Sequence, residues 1–174
     1  CALPISVRAA YPDKAITLSV GERSAEAYAA FKEAGANRFL LRHETRNEEH
    51  YQQLHPSMMS AENRRECLFT LKRLGFQTGS GMMIGSPGQT DENLYEDIRF
   101  LEELQPQMIG IGPFLPATNT PFENESHGSA DKTILMLSLL RLRFPTVLLP
   151  ATTALATLCP DGIERAILAG ANVV

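Results

Sequence analysis

Strand and helix signals alternate from one end of this chain to the other, and that alternation constrains the fold more than any single motif. Short apolar runs suited to strands cover 15–20, 38–42, 78–84, 108–112, 146–149 and 172–174. Helical patterns lie between them. Ser24 is placed to cap a helix over 25–34, which Gly35 ends. A second helix over 61–74 carries Cys67, Leu68, Leu71 and Leu74 at helical spacing. Thr90 caps a third over 91–104, Ser129 opens a fourth running to about Phe144, and a short one covers 162–169. The stretch 113–128 is a long polar loop with three prolines, of the kind that carries function. Repeated β-loop-α units demand a parallel sheet with right-handed crossovers.

Six such strands fit either an open doubly wound sheet or part of a barrel. No glycine-rich dinucleotide fingerprint follows the first strand. Small or polar residues recur on one parity of several strands: Thr17 and Ser19, Arg42 and Glu44, Gly110 and Gly112. Successive side chains of a strand alternate faces, so one face is lined for a ligand. Ile16, Leu18, Val20, Ile109 and Ile111 hold the other parity and suit the helix side. The expected fold is α/β, an incomplete parallel (β/α) barrel of about six of eight units, and the whole chain 1–174 is expected to be one domain.

Composition narrows the function. The net charge of -4 argues against broad nucleic-acid binding, and no apolar run is long enough for a membrane span. No signal peptide is visible. The three cysteines, Cys1, Cys67 and Cys159, match no zinc, disulfide or cluster spacing, and no metal site is assigned. A sparse, odd count fits a reducing cytoplasm. The chain starts without methionine and stops within an apparent strand, so it is expected to be a piece of a longer protein.

Candidate chemistry gathers at strand ends, where parallel α/β folds bind ligands. Arg42 and Glu44 project together from the end of one strand and can hold both charged ends of an amino-acid-like group; the alternative is a structural ion pair. Arg64 lies on the inward stripe of its helix, in the first turn, where its charge opposes the macrodipole. It either reaches the barrel mouth or snorkels outward. The loop Gly81–Thr90 lets backbone approach a flat ring beside Met83, or is simply a tight turn. Thr152 and Thr153 follow a strand, where adjacent hydroxyls bind an anion or cap a helix. His43 has the opposite parity to Arg42 and is expected to pack or hydrogen-bond outward. His50, His55 and His127 have no metal spacing.

The segments Ile16-Thr17-Leu18-Ser19-Val20-Gly21-Glu22-Arg23, Leu40-Leu41-Arg42-His43-Glu44-Thr45, Gly81 to Thr90, Ile109-Gly110-Ile111-Gly112-Pro113-Phe114 and Pro150-Ala151-Thr152-Thr153-Ala154 occur in that order. Together they resemble the HydE-type radical S-adenosylmethionine enzymes, which mature the H-cluster of iron–iron hydrogenases and are related to biotin synthase and methylornithine synthase. The resemblance implies a (β/α)8 barrel of which this chain supplies the third strand to the eighth. It implies cleavage of S-adenosylmethionine by a 4Fe-4S cluster to a 5′-deoxyadenosyl radical that acts on a small carboxylate-bearing substrate. Glu44 and Arg64 would hold the amino-acid part of S-adenosylmethionine with Ser19 nearby, and Met83 and Ile111 would lie by the adenine. Thr17, Arg42, Thr152 and Thr153 would face the substrate.

That family's cluster rests on a Cys-x3-Cys-x2-Cys motif, which this chain lacks, so the chain alone is expected to be inactive. A hydrogenase maturation scaffold is a candidate partner. An incomplete barrel also leaves an open edge at 15–20, which favours self-association. Other readings stay open: a methylornithine-synthase-like or biotin-synthase-like activity, a non-catalytic ligand-binding barrel segment, or a barrel lyase using Glu44 as acid or base. The last lacks a strand-end lysine for a Schiff base.

Overall fold

A computed structural model describes the chain from Ala2 to Val174, with side chains from Pro4 onward; the reading made for Cys1 lies outside the described residues. In order, the elements are α1 (Ala2–Ala10), β1 (Thr17–Leu18), α2 (Ala25–Glu33), β2 (Arg38–Leu40), α3 (Glu48–Leu54), α4 (Ala61–Arg73), β3 (Gln77–Ile84), α5 (Asp91–Leu104), β4 (Met108–Pro113), α6 (Ala130–Arg143), α7 (Thr153–Leu158) and α8 (Gly162–Leu168). Four strands pair in parallel in the order β1-β2-β3-β4. Single parallel bridges, Met108 to Leu148 and Pro150 to Val173, continue the same order past β4. Consecutive parallel strands in sequence order are the walls of a (β/α) barrel.

The strand over 146–149 and the one over 172–174 are therefore not full strands but bridge positions. Asn172 explains part of this: its side-chain oxygen accepts the backbone N–H of Leu149, a bond a ladder partner would otherwise supply. The strand expected over 15–20 is also shorter, two residues. Three helices were not anticipated: α1, α3 and α7. Asn47 caps α3 by accepting from the backbone of His50 at 3.0 Å.

The hydrophobic core lies between the outer face of the sheet and the helices. Met82, Ile84, Ile109 and Ile111 pack on Leu101, Leu137 and Leu140. Ile16 and Phe39 pack on Tyr28, Leu68 and Leu71. Capped helices seat this layer: Ser24, Ser60 and Ser129 each accept from the backbone of the first turn, and Thr90 forms a reciprocal capping box with Asn93. The opposite parity faces inward. A Cβ on Gly79 would meet the side chains of Leu40 and Met108, which places all three on the inner face.

Candidate functional site

The inner face is lined with little. Along β3 and β4 the inward positions are Gly79, Gly81, Met83, Met108, Gly110 and Gly112. Gly81, at φ +153°, packs directly against the carbonyl of Gly110: a Cβ there would stand 1.9 Å from that oxygen. Beside Gly110 the nearest side-chain atom is Arg42 Nε, 4.0 Å from where a Cβ would be. Glycine here leaves a hollow, and Arg42 lies along it. The Arg42 guanidinium makes no hydrogen bond or ion pair among the described residues.

Beyond β2 the chain keeps pairing with β3, through Leu41 N–H to the Gly79 carbonyl and Glu44 N–H to the Gly81 carbonyl. The second bond is one residue out of step, since a regular ladder would pair His43 with Gly81, so the chain bulges between Arg42 and Glu44 and strand alternation does not by itself put the two on one face. Glu44 adopts φ 68°, the left-handed region that costs a non-glycine residue about 1–2 kcal/mol. Its Oε2 is buried without a hydrogen-bond partner. A left-handed backbone and an unpaired buried carboxylate oxygen are both features that stability alone disfavours.

Arg64 is brought to this carboxylate's neighbourhood. From the first turn of α4 its Nε donates to the Tyr51 hydroxyl at 2.9 Å and its Nη1 to the Arg42 carbonyl at 3.1 Å. Glu22, in the loop after β1, stands 3.0 Å from the same Nε as an ion pair. The charges of Arg64, Glu44 and Glu22 all act on Tyr51 and His55, whose rings stack with centroids 4.1 Å apart. So Arg64 does not snorkel; it turns inward. Glu22 and Tyr51 were missed by sequence reasoning. Only the position of Glu22 just past a strand end could have singled it out.

Thr152 stands at the N-cap of α7 yet makes no capping bond. Its Oγ1 is buried and unpartnered, pressed toward Gly112. Thr153 is the exposed first residue of α7, and Thr17 and Ser19 are exposed on the inward parity. Met83 is half-buried, and its carbonyl accepts from the Gln89 amide, which also closes the loop by accepting from Gly85 N–H. One expected position needs correction. Ile111 is fully buried in the helix-side cluster, because its parity is that of Ile109; its side chain does not face the hollow.

His43 bonds outward, as its parity requires. Its Nδ1 lies 3.0 Å from Ser80 Oγ and its Nε2 3.3 Å from Asp97 Oδ1. The three residue types of a hydrolase triad meet here, but all are buried on the helix side, and the two ring nitrogens carry the opposite partners. They fasten β2, β3 and α5. Among the described residues no three His, Cys, Asp or Glu side chains gather into a metal site, and none of the described helices is long and apolar enough to cross a membrane. Cys67 is buried in the core, and Cys159 sits half-buried between α7 and α8.

A family model for the radical SAM superfamily matches residues 5–101, more than half of the chain. The chain belongs to the radical SAM superfamily. The chain is 49% identical over 160 residues to the FeFe hydrogenase maturase subunit HydE of Thermotoga maritima, covering 92% of this radical SAM chain and 46% of that protein. It is 32% identical over 143 residues to 3-methylornithine synthase of Methanosarcina acetivorans, covering 82% of the chain and 40% of that protein. The crystal structure of methylornithine synthase (PylB) superposes with a TM-score of 0.86 at 27% identity, over 99% of this chain and 50% of that one. The chain thus spans about half the length of the relatives it matches, and it is part of a radical SAM barrel.

Proposed function

We propose that this chain, as a single domain, forms the pocket wall, from the third strand to the eighth, of a cytoplasmic radical SAM enzyme that acts in H-cluster maturation on a small carboxylate-bearing substrate. The observation that carries the reading is an unsatisfied buried carboxylate, Glu44 Oε2, and the inward-turned Arg64, whose charges both act on Tyr51 and His55. An α-amino acid has an ammonium to satisfy the first and a carboxylate to meet the second. The 49% identity to a hydrogenase maturase supports the biological setting.

In this reading Glu44 and Arg64 hold the amino-acid end of S-adenosylmethionine, Ser19 sits nearby, and Met83 packs against the adenine. S-adenosylmethionine, when bound, supplies the 5′-deoxyadenosyl group that radical enzymes use to take a hydrogen atom. Arg42, free and inward, meets the substrate carboxylate, with Thr17, Thr152 and Thr153 around it. A 4Fe-4S cluster does not fit the described residues, whose cysteines stand apart on different elements; in this reading its ligands belong to the rest of the protein. That remainder also covers the outer edge of β1. A hydrogenase maturation scaffold is the partner class that follows.

Calorimetric titration of S-adenosylmethionine into the full-length protein tests this. Glu44→Gln and Arg64→Ala should each weaken binding about tenfold or more, the loss expected when one partner of a buried charge contact is removed. Arg42→Ala should leave it unchanged while raising the KM for a carboxylate substrate. Binding indifferent to both Glu44 and Arg64 would refute the assignment. The 32% identity to 3-methylornithine synthase favours one alternative, an amino-acid substrate in the same pocket.

A further inference from the structure

We propose that Glu22 and Tyr51 are positioning residues that lock the Arg64 guanidinium so that one edge alone is offered to a ligand carboxylate. The proposal rests on the reading of Glu44 and Arg64 above. A cation in the first turn of α4 works against the helix dipole, and the helix itself supplies one acidic residue there, Glu62. Further compensation comes from outside. Glu22 places Oε1 3.0 Å from Arg64 Nε, and its Oε2 accepts from the Asn63 side chain, so one carboxylate grips two consecutive residues of α4. The Glu22 contact is an ion pair without a directed bond, because the Nε–H is spent on the Tyr51 hydroxyl.

Nη1 is committed as well, to the Arg42 carbonyl. Nη2 is the one guanidinium nitrogen left without a partner among the described residues. The side chains of Arg64 and Glu22 are 12% and 17% exposed, so the pair is shielded from solvent and little screened. Tyr51 is fully buried and stacked on His55, which fixes its hydroxyl in place. Burial pushes that hydroxyl up from its ordinary titration range, so it stays protonated at neutral pH. A free arginine side chain would lose several rotatable bonds on meeting a carboxylate; here they are frozen beforehand. Such preorganisation is the usual task of residues behind a binding group.

The test is ligand binding by the full-length protein, with two probes. S-adenosylhomocysteine carries the amino-acid end; 5′-methylthioadenosine lacks it. Glu22→Gln and Tyr51→Phe should each weaken S-adenosylhomocysteine about tenfold, the value of an immobilised rotamer-rich side chain. Both should leave 5′-methylthioadenosine within about twofold, which also shows that the variants fold. Glu22→Asp, which keeps the charge, should recover part of the loss. Two results would overturn the proposal: unchanged S-adenosylhomocysteine affinity in both variants, or equal weakening of both probes. If Arg64→Ala itself leaves S-adenosylhomocysteine unaffected, the pocket reading fails and takes this proposal with it.

Discussion

Glu44 concentrates two costs to folding in one residue. Its backbone sits at φ 68°, and its Oε2 is buried with no partner. Both features cost stability: the left-handed conformation through its Cβ, the oxygen through lost hydration. Glycine removes both costs, though it adds entropy to the unfolded chain. Glu44→Gly should therefore stabilise the fold by about 1 kcal/mol and Glu44→Ala by less, because alanine keeps the strained backbone. Denaturant midpoints would measure this, and a midpoint that falls in Glu44→Gly would show that the carboxylate is stabilising after all. The place of Arg42 beside the inner glycines was legible from strand alternation, but the slip in pairing and the left-handed backbone at Glu44 were not. The partners of Arg64 were not, because Glu22, Tyr51 and the Arg42 carbonyl come from three different segments that only the folded chain brings together.

At the scale of elements, the long periodic segments declared themselves, and among the short ones α8 did while α3 and α7 did not. The helices α4, α5 and α6 have 13, 14 and 14 residues and clear caps, whereas α3 and α7 have 7 and 6. Two turns of helix give few periods to set α3 and α7 apart from a loop, although the Asn47 cap was a usable sign. The last two strands shrank to bridges because the pairing beyond β4 is made by isolated contacts and by the Asn172 side chain. The inner glycines are unequal. At Gly79 a new Cβ would meet the flexible end of Leu40, while at Gly81 it would strike the Gly110 backbone. Gly79→Ala should cost within about 1 kcal/mol and Gly81→Ala about 3 kcal/mol or more, read as shifts in chemical-denaturation midpoint. Equal costs would mean that the β3–β4 seam can open to admit a side chain.

For the molecule as a whole, acid is the expected weakness. His50 and His55 both titrate below the ordinary 6.5, chiefly because burial disfavours the charged ring; the Arg64 charge lowers His55 further. As pH falls below 6.5 the unfolded chain takes up these protons first. The unfolded state then binds more protons than the native one, so stability is full above 6.5 and declines as pH drops toward the lowered native values. Unfolding curves at about pH 7.5 and about pH 5.5 should show this loss, and a His50→Gln, His55→Gln double variant should flatten it. A decline that persists undiminished in the double variant would assign it to carboxylates instead. His55 stacks on Tyr51, so the same acid would loosen the support behind Arg64.

The bare inner seam also bears on how such a pocket diversifies. At Gly112 an added methyl would stand 2.6 Å from Thr152 Oγ1, a side chain that can turn away, rather than against backbone. A methyl there displaces the Thr152 hydroxyl before it meets any backbone. The lining of β4 can therefore be altered one carbon at a time at the expense of one side chain, with the sheet itself left alone.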